Sequence, residues 1–191
     1  SGIENLVTGA GNDTIFGALS TTILDTGAGT DTLNLSAVSA DLAITVHASG
    51  AVSISDGTST VNNIDGVDNI VGGTGTNTYT FEDGATLAGT ISGGSNALDY
   101  SASSTAIAID LSSGTATGTG GVTNIVSVIG GSGSDTLMGP AAAADWSITA
   151  ANTGAVAGTS FSNFENLVGN DGADSFVFAD GASVAGAVTG G

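Results

Sequence analysis

The chain has 191 residues, with 18 Asp and Glu, one His, 32 Gly and neither Lys, Arg nor Cys, giving a formal charge of −18 at pH 7. Average usage would supply about twenty basic residues; their absence excludes nucleic acid as a partner, because Lys and Arg on phosphate carry most of that affinity. The same charge repels anionic membranes, nucleotides and acidic glycans, and leaves divalent cations and neutral surfaces as partners.

Only 9% of residues are charged and 40% are hydrophobic, so the chain has the apolar content to fold rather than stay an acidic tail. No apolar run reaches the roughly 20 residues of a membrane-spanning helix, which predicts no membrane insertion. Ser1–Ala10 lacks the basic and apolar regions of a signal peptide, so export or anchoring is expected to come from outside this segment. Without cysteine there is no disulfide, thiolate metal site or thiol redox chemistry.

In chain order, period-two apolar alternation predicts strands at Leu33 and Leu35, at Leu42, Ile44 and Val46, at Val52 and Ile54, and at Tyr79 and Phe81. Further strands are predicted at Ile107, Ile109 and Leu111, at Trp146 and Ile148, and at Phe176 and Phe178. Gly, Asn, Asp, Ser and Thr clusters at 26–30, 56–58, 72–76 and 130–134 bound these segments as turns. Ala141–Asp145 is the one place where a helical turn is expected.

Residues 67–94 match 164–191 without a gap, and partial copies lie at 3–16 and 122–137. Many short strands, frequent Gly turns and repetition leave a sandwich, a barrel or a solenoid. With aromatics at 5%, a thick core is hard to fill. The expectation is therefore all-β: a right-handed parallel β-solenoid of about nine turns, roughly twenty residues and about 4.8 Å of rise per turn, with residues 1–191 as one continuous segment. Asn5, Asn69, Asn124 and Asn166 recur before Leu or Ile and are expected to form ladders or hold turns. Neither end reads as a cap, which predicts a segment of a longer array or open ends that stack on copies of the same chain or on adjacent repeats.

The acids are 15 Asp to 3 Glu, and Asp belongs to turns and to oxygen cages for hard cations. Five glycine loops end in an acid or amide: TGAGNDTI from Thr8, TGAGTDTL from Thr26, GGTGTNTY from Gly72, GGSGSDTL from Gly130 and GNDGADSF from Gly169. These loops resemble the GGxGxDxUx nonapeptide of RTX (haemolysin-type) proteins, whose parallel β-roll binds Ca²⁺. The resemblance implies Ca²⁺ at Asp13 and Asp31, which are 18 residues apart like stacked loops of that family, and at Asp135 and Asp174. Irregular loop spacing, the unmatched GALSTT between the first two loops, and Asn77 in place of Asp all depart from the family pattern. The longer unit, with ENLxGGxGxDTF, FxDGAxxxG and GGxxxLDYS elements, resembles repeats of very large secreted bacterial surface proteins. It implies an adhesive, matrix or filament role outside the cell or on its surface.

Catalysis is not expected. His47 is the only histidine and reads as a solvent-facing strand end, and without Lys or Arg there is no cationic electrophile or clamp. Asp65 with Asp68, or Asp171 with Asp174, would be the dyads of a glycan-active β-helix, but they lie in recurring turn motifs. Thr115, Thr117 and Thr119 resemble one rung of an ice-binding array. Trp146, Tyr79, Tyr100 and Phe161 are expected in the core rather than on a sugar platform.

Overall fold

The computed structural model describes residues 5–17, 19 and 23–191. Short strands come first: β1 (Asn5–Val7), β2 (Thr14–Phe16), β3 (Ile23–Asp25) and β4 (Asp31–Asn34). A three-stranded meander follows, β5 (Leu42–Val46), β6 (Val52–Ser55) and β7 (Thr60–Ile64), then β8 (Val67–Val71), β9 (Thr76–Phe81), β10 (Leu87–Ser92) and β11 (Ser95–Asp99). Next are β12 (Ala108–Asp110), β13 (Thr115–Ala116), β14 (Thr119–Val122), β15 (Ile125–Ile129) and β16 (Thr136–Met138). A second meander, β17 (Asp145–Ala150), β18 (Thr153–Val156) and β19 (Thr159–Ser162), precedes β20 (Asn166–Val168), β21 (Ser175–Phe178) and β22 (Val188–Thr189).

The described residues contain no helix, and the fold is all-β and parallel-rich, compatible with the β-solenoid class. The chain alternates between a ten-stranded sheet, ordered β21-β17-β18-β19-β15-β11-β9-β5-β6-β7, and two five-stranded sheets, β14-β10-β8-β4-β2 and β13-β12-β16-β20-β22; β1 and β3 pair beside them. None of these sheets closes on itself. Parallel pairing stacks like on like: Ile44, Tyr79, Leu98, Val128 and Phe161 follow one another in register, as do Leu33, Ile70, Ile91 and Val122, and both columns are buried.

An even step of roughly twenty residues was expected, and the steps between stacked levels instead run from 18 to 40. The two meanders account for part of the difference. Both β5-β6-β7 and β17-β18-β19 pair antiparallel, and two successive reversals return the chain to its original direction. A meander therefore adds two strands without disturbing the parallel pairing of β5 with β9 or of β17 with β21. The second meander turns at Ala157 (φ +49°) and Gly158 (φ +85°), two left-handed residues in a row, as a tight hairpin requires.

Ala141–Asp145 forms no helical turn: Ala141 and Ala142 bend, and Asp145 already starts β17. Both peptide groups of Ala144 are used between levels, its N–H on Asp174 Oδ1 (2.9 Å) and its carbonyl by the Ser175 N–H (3.0 Å), so none remains for a helical bond. Trp146, Tyr79, Tyr100 and Phe161 are buried, as expected. Trp146 stacks on Phe176 (5.2 Å between centroids) and meets Phe161 edge-on.

Candidate functional site: the glycine-loop acids

Each glycine loop turns a corner between sheets, where the ladder ends and backbone N–H groups need other acceptors. Levels approach closely here, and a Cβ on Gly27 (φ +83°) would run into the Gly9 carbonyl oxygen. Acid side chains supply the missing acceptors, reaching from one level to the next.

The structure brings Asp13 and Asp31 onto adjacent levels. Their link is a hydrogen bond from the Asp13 N–H to Asp31 Oδ1 (2.8 Å), and the Asp31 N–H in turn donates to Asp68 Oδ2 (2.7 Å). The second chain of contacts has the same form: the Ile107 N–H donates to Asp135 Oδ1 (2.7 Å), and the Asp135 N–H donates to Glu165 Oε2 (2.9 Å). Asp135 Oδ2 also takes the Gly131 N–H of its own loop (2.7 Å). Asp174 Oδ1 takes the Ala144 N–H, as above, while Asp174 Oδ2 and Asp31 Oδ2 are buried without a hydrogen-bond partner.

Asn77, at the acid position of the third loop, keeps half of this pattern. Its Oδ1 accepts the Gly73 N–H (2.8 Å), and its Nδ2 donates to the Gly73 carbonyl (3.2 Å) and to Asn96 Oδ1 on the next level (3.2 Å). The recurring asparagines act on backbone rather than as an amide ladder. Asn69 Oδ1 accepts the Thr90 N–H (2.9 Å), and Asn166 accepts the Ala187 N–H (3.1 Å) while donating to the Asp135 carbonyl (3.1 Å). Asn124 donates to the Gly93 carbonyl (2.8 Å). The side chain of Asn5 lies outside the described residues, as does most of GALSTT.

Sequence reasoning missed Asp68, Glu165, Asp41 and Asp83 as members of this set. Asp41 caps the Thr76 N–H (2.8 Å), and Asp83 caps both the N–H and the hydroxyl of Ser104 (2.9 and 2.8 Å). Asp41 directly precedes a predicted strand, which is a readable signal; its partner 35 residues on is not.

Among the described residues no group of three or more His, Asp or Glu side chains is placed to hold a metal ion. Asp135 has both oxygens occupied by N–H donors, so an ion there would compete with the fold's own bonds. Asp31 fits an ion better, being buried with one oxygen free. Among the described residues, a cleft of about 400 Å³ is lined by Ser112, Asn124, Pro140 and Thr159 without an acid, and one of about 480 Å³ has Asp68 as its single acid.

His47 is not a free solvent-facing ring. It sits half-buried between Glu82 Oε1 (2.9 Å) and Ser53 Oγ (2.8 Å), and Glu82 Oε2 takes the Ala48 N–H (3.0 Å). The Ala48 N–H first, then the His47 ring, hold the Glu82 carboxyl below its ordinary value. A depressed carboxyl stabilises the fold above its unfolded pKa of about 4.3 and loses that contribution as pH falls through the folded value. Glu82→Gln is therefore expected to be less stable than the parent at pH 6, the difference closing as the pH is taken down to 3. Parallel melting curves across that range would refute the assignment.

No helix of the described residues is long and apolar enough to cross a membrane. No protein-family model, curated protein or solved structure matches this chain.

Proposed function

We propose that this chain is a structural repeat module of a secreted bacterial surface, matrix or filament-forming protein, built as a right-handed parallel β-solenoid of about nine turns and stacking end to end on copies of itself or on adjacent repeats. It works outside the cell or on its surface and carries no catalytic site. The observation behind the reading is the parallel, in-register stacking of like on like from level to level, joined to the ungapped match of residues 67–94 to 164–191. Stacked repeats extend by adding like units, each contacting only its neighbours, and the right-handed sense follows from the preference of parallel crossovers.

At −18 with no basic residue, stacked modules repel one another until counterions or protons intervene. The expected result is slow sedimentation at low salt and end-to-end particles, seen by electron microscopy, on adding divalent cations or 0.5 M NaCl or on acidifying. A chain that stays monomeric under all three conditions would overturn the reading.

A second reading, a Ca²⁺-binding RTX-like module that folds on export, is favoured by the free buried oxygen of Asp31. It separates from the first by melting with Ca²⁺ and with excess chelator. An ion bound only by the native state stabilises by RT ln(1 + [L]/Kd), about 2.7 kcal/mol at a hundredfold excess over Kd. Under the calcium reading Asp31→Asn abolishes the resulting shift; a melt that chelator does not move leaves the structural role alone.

A further inference from the structure

The ends of β5 and β9 and the start of β6 bring three side chains with complementary chemistry together. Val46 pairs with Phe81 and both are buried, so the next residues, His47 and Glu82, leave the sheet side by side on its outer face. On the other flank β6 runs antiparallel to β5 with Thr45 opposite Ser53, which puts the Ser53 side chain on that same face. Glu82 and Ser53 therefore reach the imidazole from opposite sides, Glu82 Oε1 at 2.9 Å from Nδ1 and Ser53 Oγ at 2.8 Å from Nε2. Acid, imidazole and hydroxyl stand in the order that activates a serine.

The hydrogens follow from the partners. An ionised carboxylate can only accept, so Nδ1 carries the ring hydrogen, Nε2 of the neutral ring is an acceptor, and the Ser53 hydroxyl is its donor. The Ser53 oxygen also accepts the Asn63 N–H (3.1 Å). That N–H is turned toward it by a bulge: Val52 pairs with Ile64 and Ile54 with Val61, which sets Asn62 and Asn63 against Ser53, with Asn63 at φ +53°. The hydroxyl hydrogen is thus aimed at a base and one lone pair is left for a carbonyl carbon. Ser53 is half-buried and lines an uncharged cleft of about 150 Å³ with Ala43, Thr45, Thr60 and Asn62, room for a short acyl chain. Ser55 lines the same cleft but gives its hydroxyl to the Ser59 carbonyl (3.1 Å), which is no base.

We propose that Ser53 is a covalent acyl-attachment site, activated by His47 as general base with Glu82 as positioning residue, that takes one short neutral acyl group per chain from an activated ester. Ser53 Oγ attacks the ester carbonyl carbon while its proton passes to His47 Nε2. The new Ser53 O–C bond forms, the C–O bond to the leaving group breaks, and the leaving oxygen takes the proton from Nε2, so the ring ends neutral. A formal charge of −18 disfavours anionic donors. The product is an ordinary alkyl ester, a poorer acyl donor than the activated ester that made it, and no Lys or Arg is present to hold the oxyanion of its hydrolysis. The acyl group therefore stays, and the attachment is stoichiometric rather than a turnover reaction. It holds whether or not the modules stack.

The test treats the full chain with p-nitrophenyl acetate and follows nitrophenolate release, intact mass and peptide mapping. With no Lys or Cys in the sequence, the amino terminus is the main competing nucleophile, and mapping separates it. The expected result is acetyl on Ser53 in the native chain, formed about a hundredfold faster than on Ser55, with the preference lost in concentrated urea. That comparison needs no variant to fold. His47→Gln is expected to slow acetylation of Ser53 by about a hundredfold or more. Glu82→Ala is expected to move the His47 ring from the Nδ1–H toward the Nε2–H tautomer, read by imidazole nitrogen NMR, and to slow the reaction about tenfold; a Glu82 with only a structural role would leave the tautomer where it was. Equal acetylation of Ser53 and Ser55, none at Ser53, a Ser53 rate indifferent to His47→Gln, or a parent ring already in the Nε2–H form would overturn the proposal. So would nitrophenolate release by Ser53→Ala at the parent rate, which would make the ring itself the nucleophile.

Discussion

Asp135→Ala is expected to destabilise the fold by about 4 kcal/mol in metal-free buffer, because each buried donor left without a partner costs roughly 1–3 kcal/mol. Two such donors are left, the N–H groups of Ile107 and Gly131, both held at 2.7 Å by a carboxyl that is fully buried. The Asp135 N–H is backbone and keeps its bond to Glu165 in the variant, so the measurement isolates the side chain. Asp135→Asn keeps one acceptor and turns an amide toward the other donor, and about half the loss is expected. Asn77 tolerates that exchange because the Gly73 carbonyl and Asn96 accept its extra hydrogens. Denaturant unfolding with chelator present checks both values. A loss below about 1 kcal/mol that grows only when Ca²⁺ is added would assign the carboxyl to an ion rather than to the backbone.

Much of the fold is legible in the sequence because parallel stacking repeats the same demand at every level. The alternation at Leu42, Ile44 and Val46 became β5 with those three side chains buried, and Trp146 with Ile148 became the buried face of β17. Both copies of the 67–94 and 164–191 match carry strands, β8 and β9 in the first and β20 and β21 in the second, and β9 and β21 belong to one sheet while β8 and β20 belong to two. The meanders were not read as such, although Asp56 and Gly57 (φ +83°) are a recognised hairpin pair. Ala157 and Gly158 gave even less warning, since alanine is no turn former and reaches positive φ here only because the strands on either side hold it.

The candidate site was legible by halves. Glycine and aspartate at fixed spacing announce a tight corner that needs oxygen acceptors, but they do not say whether an ion or a peptide N–H will use the oxygen. That choice depends on the level above or below, 18 residues away for Asp13 with Asp31 but 28 for Ile107 with Asp135 and 37 for Asp31 with Asp68. A local motif carries no information about those distances, because the number of residues between levels is set by loops and meanders. His47 shows the same limit: its partner Glu82 is 35 residues on, placed beside it by the pairing of β5 with β9.

Phe81→Ala is expected to cost about 4 kcal/mol, the usual loss for a buried aromatic ring, and to lower the melting temperature by about 10 °C in a chain of this length. The ring is buried, stacked on Tyr100, and set over Val46 by strand pairing, so its removal leaves a cavity in the core. Phe178→Ala removes the same ring from the same repeat position and is expected to cost only about 1 kcal/mol, since nearly half of its surface is still in water. The difference reports chiefly on the covering level, because repeat position and strand direction are the same in the two units, with Val46 paired to Phe81 and Ile148 to Phe178. Each level contacts little beyond its neighbours in such stacks, so a loss at the last level frays the end while a loss at Phe81 cuts the array in its middle. Hydrogen exchange separates the two: Phe81→Ala is expected to speed exchange in β5, β9 and β11 together, and Phe178→Ala in β21 alone. Equal costs for the two substitutions would mean that the edge at β21 is already as well covered as the interior.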